Sequence, residues 1–159
     1  MPEAAVRVLF VCLGNICRSP LAEVVVRDRA RERGLLHRIE FASAGTGDWH
    51  IGKGADPRSA ATARRHGHDL GTHRAQQITP SRLGGWHWFV AMDRENRADL
   101  LAMGIPDSRV LLMRQFEIGE EAEPDVPDPY FGGAEGFDHV YAMLRDNADR
   151  LLDFLLSES

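Results

Sequence analysis

The sequence predicts an α/β domain built on a four-stranded parallel sheet. Three observations carry that prediction. Short apolar runs of strand type alternate along the chain with segments of helical spacing, the signature of βαβ units. The first run, Val6 to Val11, is apolar but for Arg7, as suits a central strand buried on both faces. At 159 residues, with 43% hydrophobic and 27% charged residues, the chain is long enough to bury one full core. One domain over 1–159 is therefore expected, with Met1 to Ala5 as a loose tail.

Each element follows from local pattern. After Val11 the chain turns abruptly through Cys12-Leu13-Gly14-Asn15-Ile16-Cys17-Arg18-Ser19, and Pro20 suits the first turn of a helix because its missing N–H costs nothing there. Leu21, Val24, Val25 and Ala30 continue with helical spacing to Arg33, and Gly34 is placed to end the helix. Ile39 to Ala44 alternates like a second strand, which completes a βαβ unit with a right-handed crossover. Asp56-Pro57 reads as an N-cap and first helical residue before Ala60, Ala61 and Ala63. Thr79-Pro80-Ser81 marks a short turn, and His87 to Met92 is a third strand. Asp93 caps a helix running to Met103 and stopped by Gly104. Arg109 to Met113 is a fourth strand. Ala134 to Leu156 is a long last helix whose buried stripe is Phe137, Val140, Tyr141, Leu144, Ala148, Leu151 and Leu155.

Composition excludes several function classes. A net charge of −5 argues against broad binding to nucleic acid or to anionic membranes. No apolar stretch approaches membrane-spanning length, and the first five residues do not read as a secretory leader. Two cysteines make no disulfide scaffold and fit a reducing cytoplasm. His66, His68 and His73 match no common zinc spacing and read as surface or hydrogen-bonded histidines, so neither metal nor cofactor is expected.

The chemistry concentrates where the first strand meets the first helix. A loop of this kind turns backbone N–H groups inward over a helix N-terminus and so makes an anion cradle. Gly14 and Asn15 are residue types that tolerate the positive φ of a ring-like loop. A lone cysteine at a strand end is usually a small packed hydrophobe. The whole string Cys-x5-Arg-Ser-Pro, placed between a strand and a helix, points elsewhere. A free thiol is only a few per cent thiolate at neutral pH, and a helix N-terminus supplies at most about 2 kcal/mol toward ionising it. The loop N–H groups and Arg18 are needed as well. Arg18 can grip two phosphoryl oxygens at once, as a lysine could not, and Ser19 is placed to donate to the sulfur of Cys12. A nucleophile in an oxyanion cradle suits phosphoryl transfer, where catalysis is mostly positioning and charge stabilisation.

Two further segments complete the picture. Ala44 to Trp49 leaves the carboxyl end of the second strand, where parallel sheets bind ligands, and Trp49 offers a wall for a flat ring. Between the fourth strand and the last helix lie Glu117, Glu120, Glu121, Glu123, Asp125 and Asp128, broken by three prolines. Most of these carboxylates read as a solvated loop. Asp128 differs, because Pro127 and Pro129 stiffen it and Tyr130 and Phe131 follow, so it is the candidate proton donor to a leaving oxygen. Asp125 is its weaker rival. Cys17 has two readings: packing behind the loop, or a reversible disulfide that shields Cys12 from deeper oxidation.

The stretch Val11-Cys12-Leu13-Gly14-Asn15-Ile16-Cys17-Arg18-Ser19-Pro20 resembles the signature loop of the low-molecular-weight protein tyrosine phosphatases. Ser43-Ala44-Gly45-Thr46, Met92-Asp93-x-x-Asn96 and Asp128-Pro129-Tyr130 resemble further segments of that family in the same order, so the resemblance spans nearly the whole chain. It implies a sheet in the order 2-1-3-4 with helices on both faces. It also implies a metal-free, two-step hydrolysis of phosphotyrosine and aryl phosphates. Cys12 would be the nucleophile, and Arg18 with the N–H groups of Leu13, Gly14, Asn15, Ile16 and Cys17 would hold the phosphoryl group. Asp128 would act as acid and then base, with Ser19 supporting the thiolate. Leu13, Ile16, Trp49, Tyr130 and Phe131 would form the ring slot, with Ser43, His73 and Asp93 behind the loop. The expected partners are phosphotyrosine proteins and inorganic phosphate. At Phe131 the family often carries a second tyrosine.

Three rivals are weighed. Arsenate reductases share the loop but need further cysteines, and only Cys12 and Cys17 exist here. Phosphoarginine phosphatases of the family carry threonine where this chain has Ile16 and lack the tyrosine of Asp-Pro-Tyr. A non-catalytic phosphate-binding module is expected to lose the nucleophile, the arginine or the acid, and this chain has all three.

Overall fold

The computed structural model describes residues 5–82, 84–117, 125–130 and 134–158. They form four strands and four α-helices: β1 (Val6–Cys12), α1 (Arg18–Glu32), β2 (Ile39–Gly45), α2 (Pro57–Arg65), β3 (Trp88–Ala91), α3 (Arg94–Ala102), β4 (Val110–Leu112) and α4 (Ala134–Ser157). All strand pairs are parallel and the order is β2-β1-β3-β4, the predicted architecture.

β1 is central and its two-residue period feeds two cores. Val8 and Phe10 point to the layer of α1 and α4, where they pack with Leu21, Val25, Leu144 and Leu151. Leu9 and Val11 point to the opposite face, with Phe89, Ala91, Leu100 and Ile105 beside α3. Burial on both faces explains why β1 reads as an unbroken apolar run. The predicted stripe of α4 is buried at every position, and Leu152 joins it. Outside the core, Arg29 and Arg33 both bond Asp149, and Arg33 also bonds Asp153, which ties α1 to α4.

Element ends differ from the sequence reading by a residue or two. α1 begins at Arg18, two residues before Pro20, so Arg18 and Ser19 belong to its first turn. β3 and β4 are shorter than predicted, although the N–H groups of His87 and Met92 still bond β1 and that of Met113 bonds β3, while Arg109 closes a local turn on Pro106. Both aspartate caps are present: Asp56 accepts from the N–H of Arg58 and Asp93 from that of Asn96. Among the described residues no helix is long and apolar enough to cross a membrane.

Candidate active site

The carboxyl ends of β1, β2 and β3 bring their following loops to one edge of the sheet, and a cleft of about 210 Å³ opens there. Cys12 lines the cleft yet is only 3% exposed, which puts its sulfur at the bottom. Leu13, Ile16, Trp49 and Tyr130 form the walls, and Arg18 and Asp128 are the charged groups on its border.

The loop after Cys12 is shaped by where its carbonyls go. The oxygens of Cys12 and Leu13 accept from the N–H groups of Thr46 and Gly47, and that of Ile16 from the N–H of Asp56. The Asn15 carbonyl meets Nε2 of His73 at 2.7 Å, and the Cys17 carbonyl takes the hydroxyl of Ser59. With the carbonyls held outward, the N–H groups of Leu13, Gly14, Ile16 and Cys17 meet no protein acceptor among the described residues. The Asn15 N–H points at Sγ of Cys12, 3.3 Å away. This is an anion cradle built on the first turn of α1. Gly45 lets β2 approach it, for a Cβ there would stand 2.7 Å from the Leu13 carbonyl oxygen.

One expectation for this loop needs correction. Of Gly14 and Asn15, only Asn15 uses the positive φ (57°). Its side chain is fully buried behind the loop, away from the cleft, so only its N–H can serve a ligand. The amide is saturated there. Oδ1 accepts from the N–H of Gln76 at 2.9 Å, which leaves Nδ2 to donate to Ser19 Oγ (2.9 Å) and Ser43 Oγ (3.0 Å). Ser43 in turn donates its hydroxyl to Glu23 Oε1 at 2.7 Å. Ser19 Oγ lies 2.9 Å from Cys12 Sγ and, facing a thiolate, can only donate. Ser43 and His73 thus sit directly behind the loop.

Arg18 is buried, and its NH1 donates to Asp93 Oδ2 (2.6 Å) and to the Val126 carbonyl (2.9 Å). NH2 lies 3.6 Å from Asp128 Oδ2. Burial alone would weaken its charge. The negative charge of Cys12, the hydrogen bond donated to Asp93 and the carboxylates of Asp93 and Asp128 together push its pKa above the ordinary arginine value. Asp93 is thus more than a cap, since one oxygen holds Asn96 and the other holds Arg18.

Asp128 faces the cradle from the segment after Asp125 and accepts the Tyr130 N–H at 3.0 Å. Its rival Asp125 is turned away, bound to the side chain and N–H of Arg94. Glu117 departs from the solvated-loop reading: Arg114 grips it with two 2.8 Å bonds and Asn147 adds a third. Glu120, Glu121, Glu123 and Phe131 lie outside the described residues. Trp49 is 64% exposed, and its ring lies across Gly47 so closely that a Cβ there would collide with it. The three clustered histidines part ways: His66 stacks on Tyr141, His68 bonds Asp28 and His73 bonds the loop.

A profile of the low molecular weight phosphotyrosine protein phosphatase family matches residues 7–159. This chain belongs to that family. A low molecular weight protein-tyrosine-phosphatase of Streptomyces coelicolor is 41% identical over 150 residues, covering 92% of this chain and 91% of that protein. The crystal structure of YfkJ from Bacillus subtilis superposes with a TM-score of 0.91 at 34% identity, over 100% of this chain and 99% of that one. A protein tyrosine phosphatase of Entamoeba histolytica with Hepes in its active site gives a TM-score of 0.89 at 32% identity, over 97% and 99% of the two chains. The phosphatase fold thus accounts for nearly the whole chain.

Sequence reasoning missed several members of this site. His50 lines the cleft, Glu23 and Gln76 anchor the network behind the loop, and Arg58 holds the segment of Asp128. His50 alone carried a signal, since it follows Trp49 in a loop already assigned to the cleft. The others bond partners far away in sequence.

Proposed function

We propose that the whole chain is one phosphatase domain that hydrolyses phosphotyrosine in proteins, and small aryl phosphates, through a phosphocysteine intermediate. The observation that carries this reading is the sulfur of Cys12 at the bottom of a cleft, inside a loop whose N–H groups face inward, with Arg18 and Asp128 on the border.

In the first step the Cys12 thiolate attacks phosphorus. The S–P bond forms as the P–O bond to the ring breaks, and the leaving oxygen takes its electron pair together with the proton of Asp128. The cradle N–H groups and Arg18 hold the three equatorial oxygens in both steps. In the second step Asp128, now a carboxylate, accepts a proton from water as the water attacks phosphorus. The P–S bond breaks and its electron pair returns to Cys12, where the Ser19 hydroxyl donates to the restored thiolate. Orthophosphate leaves.

A buried sulfur below apolar walls favours a long, flat ester over a short one. Leu13, Ile16, Trp49 and Tyr130 provide those walls. Two cysteines, both free, suit a reducing cytoplasm as the working compartment.

The test is phosphate release from a phosphotyrosine peptide in excess EDTA, with phosphoserine and phosphoarginine substrates in parallel. The native chain is expected to turn over phosphotyrosine undiminished by chelator. Cys12→Ser should be inactive, and Asp128→Asn slower by about 10²-fold or more. A preference for phosphoarginine would overturn the substrate assignment while leaving the nucleophile in place. Tight phosphate binding without turnover of any ester would make the protein a binding module.

A further inference from the structure

We infer that Arg58 is a positioning residue for the proton transfer: it fastens the Asp128 segment to α2 and thereby aims the Asp128 carboxyl at the leaving oxygen. The inference rests on the reading of Asp128 as the general acid.

Arg58 stands at the second position of α2, where three parts of the site meet. Asp56, the N-cap of that helix, donates its N–H to the Ile16 carbonyl of the cradle at 2.8 Å. Ser59, one residue beyond Arg58, donates its hydroxyl to the Cys17 carbonyl at 3.0 Å. The start of α2 is therefore bolted to the loop that carries Cys12. From this fixed base the Arg58 guanidinium reaches both Asp56 and Tyr130. Nε and NH2 donate to the two oxygens of Asp56, at 3.1 and 3.0 Å, which holds the fork in one plane. NH2 also donates to the Tyr130 carbonyl at 2.8 Å. Its flat face lies 4.7 Å from the centre of the Phe137 ring and 5.6 Å from that of Tyr130.

The consequence for Asp128 runs through Tyr130. The Tyr130 N–H occupies Asp128 Oδ1, and Oδ2 is the oxygen turned toward Arg18, 3.6 Å from its NH2. Holding the Tyr130 backbone at both its N–H and its carbonyl therefore selects which carboxyl oxygen faces the cleft. The other end of the segment is tied down separately. The Val126 N–H bonds the Met92 carbonyl at 2.7 Å, and the Val126 carbonyl accepts from Arg18. Asp128 thus lies on a short span between two anchors, and Arg58 supplies the one after it. Proton transfer needs the donor within hydrogen-bond reach of the leaving oxygen, and a displacement of about 1 Å can cost on the order of 10²-fold in rate.

A residue that only stabilises the fold and one that aims an acid differ in how the leaving group matters. A strongly activated ester such as 2,4-dinitrophenyl phosphate expels its phenolate without a proton, whereas phenyl phosphate needs one. The experiment measures kcat/KM, which reports the first chemical step, for both esters. It compares the native chain, Arg58→Met, Arg58→Lys, Asp128→Asn and the Arg58→Met/Asp128→Asn double variant.

The inference expects Arg58→Met to lower kcat/KM for phenyl phosphate by about 10-fold or more and for the dinitrophenyl ester by less than about 3-fold. Adding it to Asp128→Asn should cost phenyl phosphate little more. Arg58→Lys keeps the charge but cannot fork between Asp56 and Tyr130, so it should show the same selective loss with near-native thermal stability. Equal losses on both esters, in either single variant, would overturn the inference and make Arg58 a structural residue. A selective loss in Asp128→Asn alone would overturn it too while upholding the acid. No leaving-group dependence in Asp128→Asn would remove the acid assignment and the inference with it.

Discussion

Asn15 shows how much a single side chain settles here. A non-glycine residue at positive φ costs on the order of 1–3 kcal/mol, and the three hydrogen bonds of its amide offset that strain. They also direct the Ser19 hydroxyl toward Cys12, because the acceptor side of Ser19 is occupied by the Asn15 amide. Cys17 sits in the same loop and is governed by the opposite influence. Burial, followed by the carboxylate of Asp56 and the neighbouring Cys12 and Asp128, pushes its thiol pKa well above the ordinary value. A protonated thiol is a poor nucleophile, so the packed reading of Cys17 governs its behaviour near neutral pH. Limited iodoacetamide at pH 7 should therefore label one site, Cys12, as read by peptide mass spectrometry. Cys12→Ser should stay unlabelled over the same time. Label on Cys17 at a comparable rate would contradict this assignment.

At the scale of elements, α3 begins with a residue that serves two masters. Asp93 caps the helix through Oδ1 and holds the buried Arg18 through Oδ2. Asp93→Asn keeps an oxygen for the Asn96 N–H and removes the charge opposite Arg18, whereas Asp93→Ala removes both. In urea unfolding, Asp93→Asn should lose about 3 kcal/mol, the range for breaking a buried ion pair. Asp93→Ala should lose about 1 kcal/mol more, the worth of a cap. Equal losses would show that the cap contributes nothing. The cap itself was legible in the sequence, since Asp followed by a helical pattern states its own local chemistry, and Asp56-Pro57 was legible for the same reason. The strand order was implied by the family resemblance, and the Cys12 loop and Asp128 stood out because each is carried by a contiguous motif, and both line the cleft. What escaped is what joins distant segments. Arg18 meets Asp93 across 75 positions and Arg58 meets Tyr130 across 72, and neither separation leaves a local periodicity to read. Helix α1 began early for a related reason: the first turn is fixed by the cradle it closes, not by the Pro20 that follows.

For the whole molecule, the sheet sets the site at one edge, and the long α4 closes the layer that supports it. Glu117, half-buried beyond the end of β4, ties α4 to the segment that follows that strand. Arg114 grips it with two bonds while its NH1 holds the Asp125 carbonyl, and Asn147 of α4 completes the set. The two Arg114 hydrogen bonds, helped by Asn147 and opposed by burial, bring the Glu117 pKa down from 4.5 to about 2. A carboxylate with a depressed folded-state pKa contributes its full stability above the unfolded value. The unfolded chain takes up its proton first as the pH falls below 4.5, and the contribution drains away until the folded protein is protonated near 2. Glu117→Gln should therefore be less stable than the native chain at pH 7, by about 1–2 kcal/mol given its partial exposure. The gap should narrow steadily between pH 4.5 and the most acidic condition at which folding persists. Urea midpoints measured along that series read the effect directly. A gap that stays constant with pH would mean that Glu117 contributes by packing and not by charge, and α4 would then be held to the sheet by its apolar stripe alone.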